Sequence, residues 1–473
     1  MRVLAIDQGT SATKALVVDE AGTVIGSAEV ELDVIATPDG GVEVDPEALW
    51  SSIIAAGEHA LAAAGGGLPD AIGLANQGET VLAWSPTDAR PLSRAIVWQD
   101  RRSVGVCDRL RSSAPWLAAI TGLELDPYFV APKMSWLREH GAIDGVISTT
   151  DTWILRRLTG AYVTDVATAS RALLLDLDTA TWSAPAAALF GIDASTLPAI
   201  VSCASAIGET TAFGGRAVPV TGACVDQQAA LFAERCRDVG QAKCTYGTGA
   251  FLLACTGTTP TRSRHGLVGC VAWRLGDDDP VVYCLDGQVY TVGAAVGWLE
   301  ALGLINEPAD LDRVGGSVEG TAGVTFVPGL AGLGAPFWKP NAKGSFSGLS
   351  LATSRAHIVR SVIEGIAAQV AWLARAAGDD MGAPLSALRV DGGLTRSHTL
   401  LQTQADLLQV PVEVYPSPHA TALGVAAMAR LGSGAADLPP DAVSMVVEPQ
   451  ISADEAEERL VRWRRAAEVT ADL

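Results

Sequence analysis

The chain opens with two apolar runs, Val3-Leu-Ala-Ile and Ala15-Leu-Val-Val, separated by the polar stretch Asp7-Gln-Gly9-Thr10-Ser11-Ala-Thr13-Lys14. Aliphatic runs on either side of a glycine-containing polar turn predict a β-hairpin, and a third strand follows at about 23–31. The period then changes. Asp45 as N-cap, Pro46 at the first helical position, Leu49, Ile53, Ala56 and Ala60 on one stripe, and Gly65-Gly66-Gly67 as the stop predict a helix. Strand-like and helical runs alternate from there to about residue 235, the mark of an α/β architecture. The hairpin pattern then returns in Gln241-Ala-Lys-Cys-Thr245-Tyr-Gly247-Thr248-Gly249-Ala-Phe251-Leu-Leu-Ala-Cys255. Two such hairpins point to two similar halves and a duplicated fold. A long helix is predicted from Ser354 to Arg375, with Ile358, Val362, Ile366, Val370 and Leu373 at helical spacing. No low-complexity linker separates the halves, so the boundary near 233–242 reads as a hinge within one body.

A length of 473 residues suggests two or three domains, each with ample core. With 49% apolar and 18% charged residues, disorder is excluded. The balance of 33 Lys+Arg against 53 Asp+Glu gives a net charge of −20, which repels phosphate backbones and argues against a nucleic acid partner. A small phosphate ligand is still compatible, because backbone N–H groups bind it locally. Met1-Arg-Val-Leu-Ala-Ile meets Asp7 at once and leaves no signal-peptide core. The longest charge-free runs, around 244–261 and 320–338, are broken by Gly, Pro and Thr, so neither is a spanning helix. A cytoplasmic protein with no membrane partner is expected. The eight cysteines form no CxxC pair and read as reduced, mostly buried thiols; the six histidines show no HExxH spacing, so a zinc enzyme is not expected.

The familiar phosphate-binding and nucleophile motifs are absent: no GxxxxGK[ST], no strand-GxGxxG-helix, no HRD or DFG set, no GxSxG. Polar turns remain. In Asp7-Gln-Gly-Thr10 the glycine lets backbone N–H groups approach a phosphate and the hydroxyl donates without bulk. Alone, such a turn is an ordinary hairpin connection; a matching Gly-Thr-Gly turn in the other half gives two that face each other and clamp a polyphosphate. Asp226 ends an apolar strand and begins a small-residue helix. It reads either as an N-cap or as a carboxylate at the strand end, where α/β sheets bind ligands, able to accept a hydroxyl proton during phosphoryl transfer. Gly392-Gly393, after the strand Ala387-Leu-Arg-Val-Asp391, is either a tight connection or a point of close approach to a nucleotide.

Taken together and in order, these pieces resemble the FGGY family of carbohydrate kinases, and within it the glycerol kinase branch. They are Ile6-Asp-Gln-Gly-Thr-Ser, Ala75-Asn-Gln-Gly-Glu79, Ile96-Val-Trp-Gln-Asp100, Asp126-Pro-Tyr-Phe129, Lys133-x-x-Trp136-Leu, Val225-Asp-Gln-Gln228, Thr245-Tyr-Gly-Thr-Gly-Ala-Phe251, Gly332-Leu-Gly-Ala-Pro-Phe-Trp338, Val390-Asp-Gly-Gly393 and Thr421-Ala-Leu-Gly424. Gly344-Ser-Phe-Ser-Gly348-Leu, followed by His357-Ile and Ser361-Val-Ile-Glu364, fits the second family signature. The resemblance implies two ribonuclease-H-like, actin-type ATPase domains, 1–236 with the acceptor and catalytic Asp and 237–473 with the nucleotide, and a ligand cleft between them. It implies ATP and Mg²⁺ as cofactors and a small polyol or sugar as acceptor. Asp226 would be the base. Asp7 would hold Mg²⁺ through water. Thr10, Ser11 and Thr248 would meet the phosphates, and Gly293, Gly393 and Ser397 the adenosine side. Glu79, Trp98, Tyr128, Asp226, Gln227 and Phe251 would line the acceptor pocket, with Trp98 and Phe251 covering the C–H face of a polyol.

Three positions depart from the branch. Gly78 stands where Arg is usual, which deletes a hydroxyl-binding fork and suggests a larger acceptor. Gly297 replaces a Gln on the nucleotide side, and Ser397 an Asn. Asp100 is similar to the pentulose-kinase branches. Glycerol or a four-carbon polyol or ketose is the leading acceptor. A xylulokinase-like ketopentose kinase is the alternative, and an actin-like nucleotide switch is the reading from another class. A homodimer and a homotetramer both stay open as assemblies.

Overall fold

The predicted N-terminal hairpin forms: β1 (Val3–Gln8) pairs antiparallel with β2 (Ala12–Val18), and β2 with β3 (Val24–Glu31), in a computed structural model that describes residues 1–141, 144–440 and 442–472. α1 (Pro46–Ala63) starts where expected, with Asp45 accepting from Glu47 N at 2.9 Å and Ala48 N at 3.4 Å. Its buried stripe, Leu49, Ile53, Ala56 and Ala60, covers β2 and β3. β1 then pairs in parallel with β4 (Ala71–Asn76), and β4 with β6 (Val218–Val225), while the short β5 (Gly208–Thr210) runs antiparallel along the edge. The strand order is β5-β6-β4-β1-β2-β3. A five-stranded sheet, with Val34–Ala36 and Val42–Val44 before β4 and Val81–Trp84, Ala95–Ile96 and Val146–Thr149 after it, carries the loops predicted to hold the acceptor.

The second half repeats the plan. β7 (Gln241–Tyr246) pairs antiparallel with β8 (Ala250–Gly257), which pairs with β10 (Val282–Val289); β9 (Val268–Trp273) is the outer strand. On its other side β7 pairs in parallel with β11 (Ala387–Asp391), then β12 (Val412–Val414), and β13 (Met445–Val447) closes the edge antiparallel. In both sheets an antiparallel arm, of three strands in the first and four in the second, leads into parallel strands, with one antiparallel strand beyond them. The duplication legible in the two turns is therefore one of topology. α3 (Arg355–Met381), capped by Ser354, covers one face of the second sheet through Leu252 and Ala254. It runs past the expected end at Arg375, because Ala376-Ala-Gly-Asp-Asp-Met carries no stop before Gly382, which takes the left-handed conformation at φ 68°.

The opposite face of the second sheet turns toward the first half. There α2 (Asp226–Ala233) and α4 (Ala420–Gly432) cross. A Cβ on Gly424 would lie 1.8 Å from Ala229 O, so only glycine permits this approach. Late in the chain as it is, α4 packs on β1, β4 and β6 of the first sheet. The expected hinge is thus crossed three times, between α2 and β7, between β12 and α4, and again between α4 and β13.

Candidate active site

Both hairpin turns reach the same cleft. In the first, Trp98 Nε1 donates to Thr10 Oγ1 at 2.9 Å, and Thr10 Oγ1 donates to Gln77 Oε1 at 3.2 Å, so the indole is fixed by the turn predicted to meet phosphate. Ser11 and Thr248 are exposed. The second turn is pinned from behind: Val292 N donates to Thr248 O at 2.9 Å and Gly293 N to Gly247 O at 3.0 Å. A side chain on Gly293 would strike Gly247 O at 2.6 Å, which accounts for glycine at the start of the helix Gly293–Ala301.

Asp226 is the first residue of α2 and accepts from Gln227 N at 2.7 Å. Burial raises its pKa against the pull of that N–H and of Lys243. Asp7, at the end of β1, is pushed up to about 7 by burial and then by the charge of Asp226. Asp391 is raised by burial as well, and its Oδ1 has no hydrogen-bond partner. Two cations answer these carboxylates. Lys14, the cross-strand partner of Asp7, pulls the pKa of that carboxyl down. Lys243 is fully buried and donates to Gln227 Oε1 at 2.6 Å and Thr245 Oγ1 at 2.7 Å. An ammonium only donates, so the Gln227 oxygen is held toward Lys243 and its NH₂ is the end left for a ligand.

The predicted acceptor residues converge. Trp98 meets Tyr128 and Phe251 edge-on, with ring centroids 5.8 and 5.9 Å apart. Tyr128 is held from both ends: its N–H donates to Asp126 Oδ1 at 2.8 Å, and buried Lys133 donates to the carbonyls of Pro127 and Phe129 at 2.9 Å and to that of Tyr128. Glu79 is buried and has φ 57°, a left-handed conformation costly for a side chain with a Cβ. Its carboxylate accepts from Arg171 Nε at 2.6 Å, and Arg171 Nη1 lies 2.8 Å from Asp286 Oδ2. Burial still raises both carboxylates, outweighing Arg171.

On the nucleotide side, Gly393 and Ser397 line a cavity of about 370 Å³ with Glu307, Pro308, Leu311 and Asp312. Ser397 Oγ donates to Asp312 Oδ1 at 2.6 Å and, as N-cap of the helix His398–Leu408, accepts from Leu400 N at 3.2 Å. Gly297 faces open space.

Sequence reasoning missed Arg171, Lys243, Asp286, Gln288 and Tyr290. Arg171 did leave a signal, a lone charge within Val166–Leu175, but neither charged residue facing it is near in sequence. Arg101 and Arg102 do not take its place beside Glu79: Arg101 pairs with Asp126 at 3.0 Å and sits over the Tyr290 ring, and Arg102 pairs with Asp100 and Glu43 and stacks on Trp136. Asp100 is spent on Val42 N and Arg102. The room expected from Gly78 is bounded by Val225, whose Cγ2 lies 3.1 Å from where a Cβ would be.

The family model for the N-terminal domain of the FGGY family of carbohydrate kinases matches residues 2–233, and that for its C-terminal domain matches residues 242–432. The chain belongs to this family. It is an ATP-dependent kinase acting on an alcohol group of a sugar or polyol. Among its relatives, a glycerol kinase of Bordetella parapertussis is 42% identical, over 99% of this chain and 97% of that protein. A glycerol kinase of Myxococcus xanthus is 40% identical over 98% of both. The crystal structure of Plasmodium falciparum glycerol kinase with ADP superposes with a TM-score of 0.91 at 31% identity, covering 99% of this chain and 98% of that one. No helix among the described residues is long and apolar enough to cross a membrane.

Proposed function

We propose that this kinase transfers the γ-phosphoryl group of ATP to a terminal hydroxyl of glycerol or a polyol of similar size, with Asp226 taking the proton. The observation that carries the reading is the convergence on one cleft of Asp226, the Gln227 amide, the buried Glu79 carboxylate and the three rings of Trp98, Tyr128 and Phe251. Rings cover the C–H face of a polyol, and the polar groups select its hydroxyls. An alcohol is too weak an acid to ionise beforehand, so its proton leaves as the new P–O bond forms. The names of the relatives support glycerol in particular.

Residues 1–236 supply the base and most acceptor contacts in this reading, and 237–473 most nucleotide contacts. Thr10, Ser11 and Thr248 meet the phosphates; Gly293, Gly393 and Ser397 line the adenosine side. Mg²⁺ fits the residues present: the charges of Asp226 and Asp391 both raise the pKa of Asp7, and Asp391 keeps an unpartnered oxygen. Bound there, with Asp7 holding it through water, the ion supplies charge that offsets the polyphosphate. Asp100, the residue most like a pentulose kinase, is consumed by Arg102, which weakens the ketopentose reading. ADP release measured with glycerol, xylulose and no acceptor is the test. Turnover that needs xylulose, or that needs no acceptor, would overturn the reading.

A further inference from the structure

Behind Phe251 lies a group of buried polar atoms with unmet hydrogen bonds. Gln288 sits directly opposite Phe251 in the β8–β10 pair, and Asp286 stands two residues away on the same face. Both are buried, Gln288 to 0% exposure. Gln288 Nε2 donates to Asp286 Oδ2 at 2.5 Å. A carboxylate only accepts, so Oε1 is the other end of that amide, and it has no partner. Asp286 Oδ1 has none either. Arg171 Nη1, though close to Asp286 Oδ2, makes no aligned hydrogen bond, while Arg171 Nε is committed to Glu79. The guanidinium also lies 5.8 Å from the centre of the Tyr128 ring, so the group adjoins the acceptor wall.

In the polyol-kinase reading, Asp226, Gln227 and Glu79 meet the three hydroxyls of glycerol. The unmet set consists of two acceptors and one donor, the complement of a further hydroxyl, which both gives and takes a hydrogen bond. We infer that Gln288, Asp286 and Arg171 form a subsite for a fourth hydroxyl, so that a four-carbon polyol is as good an acceptor as glycerol or a better one. The inference rests on the polyol-kinase reading above.

The test is kcat/KM for glycerol, erythritol and threitol with ATP, measured on the wild-type protein and on Gln288→Met, which keeps the side chain's size and removes its amide. The wild type should favour at least one tetritol over glycerol, or equal it, and Gln288→Met should lower the tetritol-to-glycerol ratio by about tenfold. Wild-type ratios below about one-hundredth for both tetritols overturn the subsite while glycerol turnover leaves the kinase reading intact. Equal losses on both acceptors in Gln288→Met overturn it too, as that is what packing damage does. ADP release with none of the three overturns both. The wild-type ratio decides even if the variant fails to fold.

Discussion

The two hairpins share a backbone and differ in where they carry charge. In the first, Asp7 is the last residue but one of β1 and its parallel partner on β4 is Ala75. In the second, Thr245 takes the place of Asp7 and its parallel partner on β11 is Asp391. Behind the first turn are a carboxylate and an indole; behind the second, a buried lysine. Duplication built one scaffold twice, and in the proposed reading the chemistry lies in the residues that break the symmetry. In the proposed reading the acceptor pocket crosses the divide further than the predicted Phe251 alone takes it, because Asp286 and Gln288 also come from the second sheet.

If the halves are inequivalent in this way, Asp226→Asn lowers kcat by about 10²–10⁴-fold, whereas Asp391→Asn costs about tenfold. Equal losses in single-turnover assays would erase the asymmetry. Arg171→Met leaves Glu79 and Asp286 as buried charges without a cation, and denaturant unfolding should show about 3–5 kcal/mol less stability. Little change in midpoint would mean that the ion pairs do not tie the halves together. Lys243→Met frees the Gln227 amide and should raise the acceptor KM about tenfold. It also moves the acid limb of kcat/KM upward in pH. Lys243 favours the Asp226 anion, so its removal raises the pKa of the base, and the active deprotonated form is lost at a higher pH as acid is added. An unmoved limb would show that Lys243 only packs. The smallest effect is expected from Gly297→Gln, which faces open space. It should change stability by no more than about 0.5 kcal/mol and lower the KM for ATP if the added amide reaches the nucleotide.

Much of the scaffold is legible because it is local. Asp45-Pro46 and the stripe after it define α1, and the repeated turns disclose the duplication. The ten motifs in order pointed to the acceptor residues. What stays hidden is set by long-range register. Arg171 meets Glu79 from 92 positions away, and Gln288 lies beside Phe251 only because β10 pairs with β8 in that register. Alternation within a strand says which residues share a face, not which face meets the other half of the molecule. The same limit explains Gly78. Its missing side chain is visible in the sequence, but that Val225 bounds the space and that Arg171 pairs with the neighbouring Glu79 is not.

The placement of α4 also bears on how the protein is made. One face of the first sheet is covered by α1, which follows within the same stretch of chain, but the other waits for Ala420–Gly432. A ribosome that has released the first 236 residues has therefore released a sheet with Ala75, Cys224 and Val225 still in want of their cover. The first domain becomes complete only when nearly all of the second has emerged, so the two mature together, and a chain truncated at the apparent boundary is left with a sticky, unfinished face.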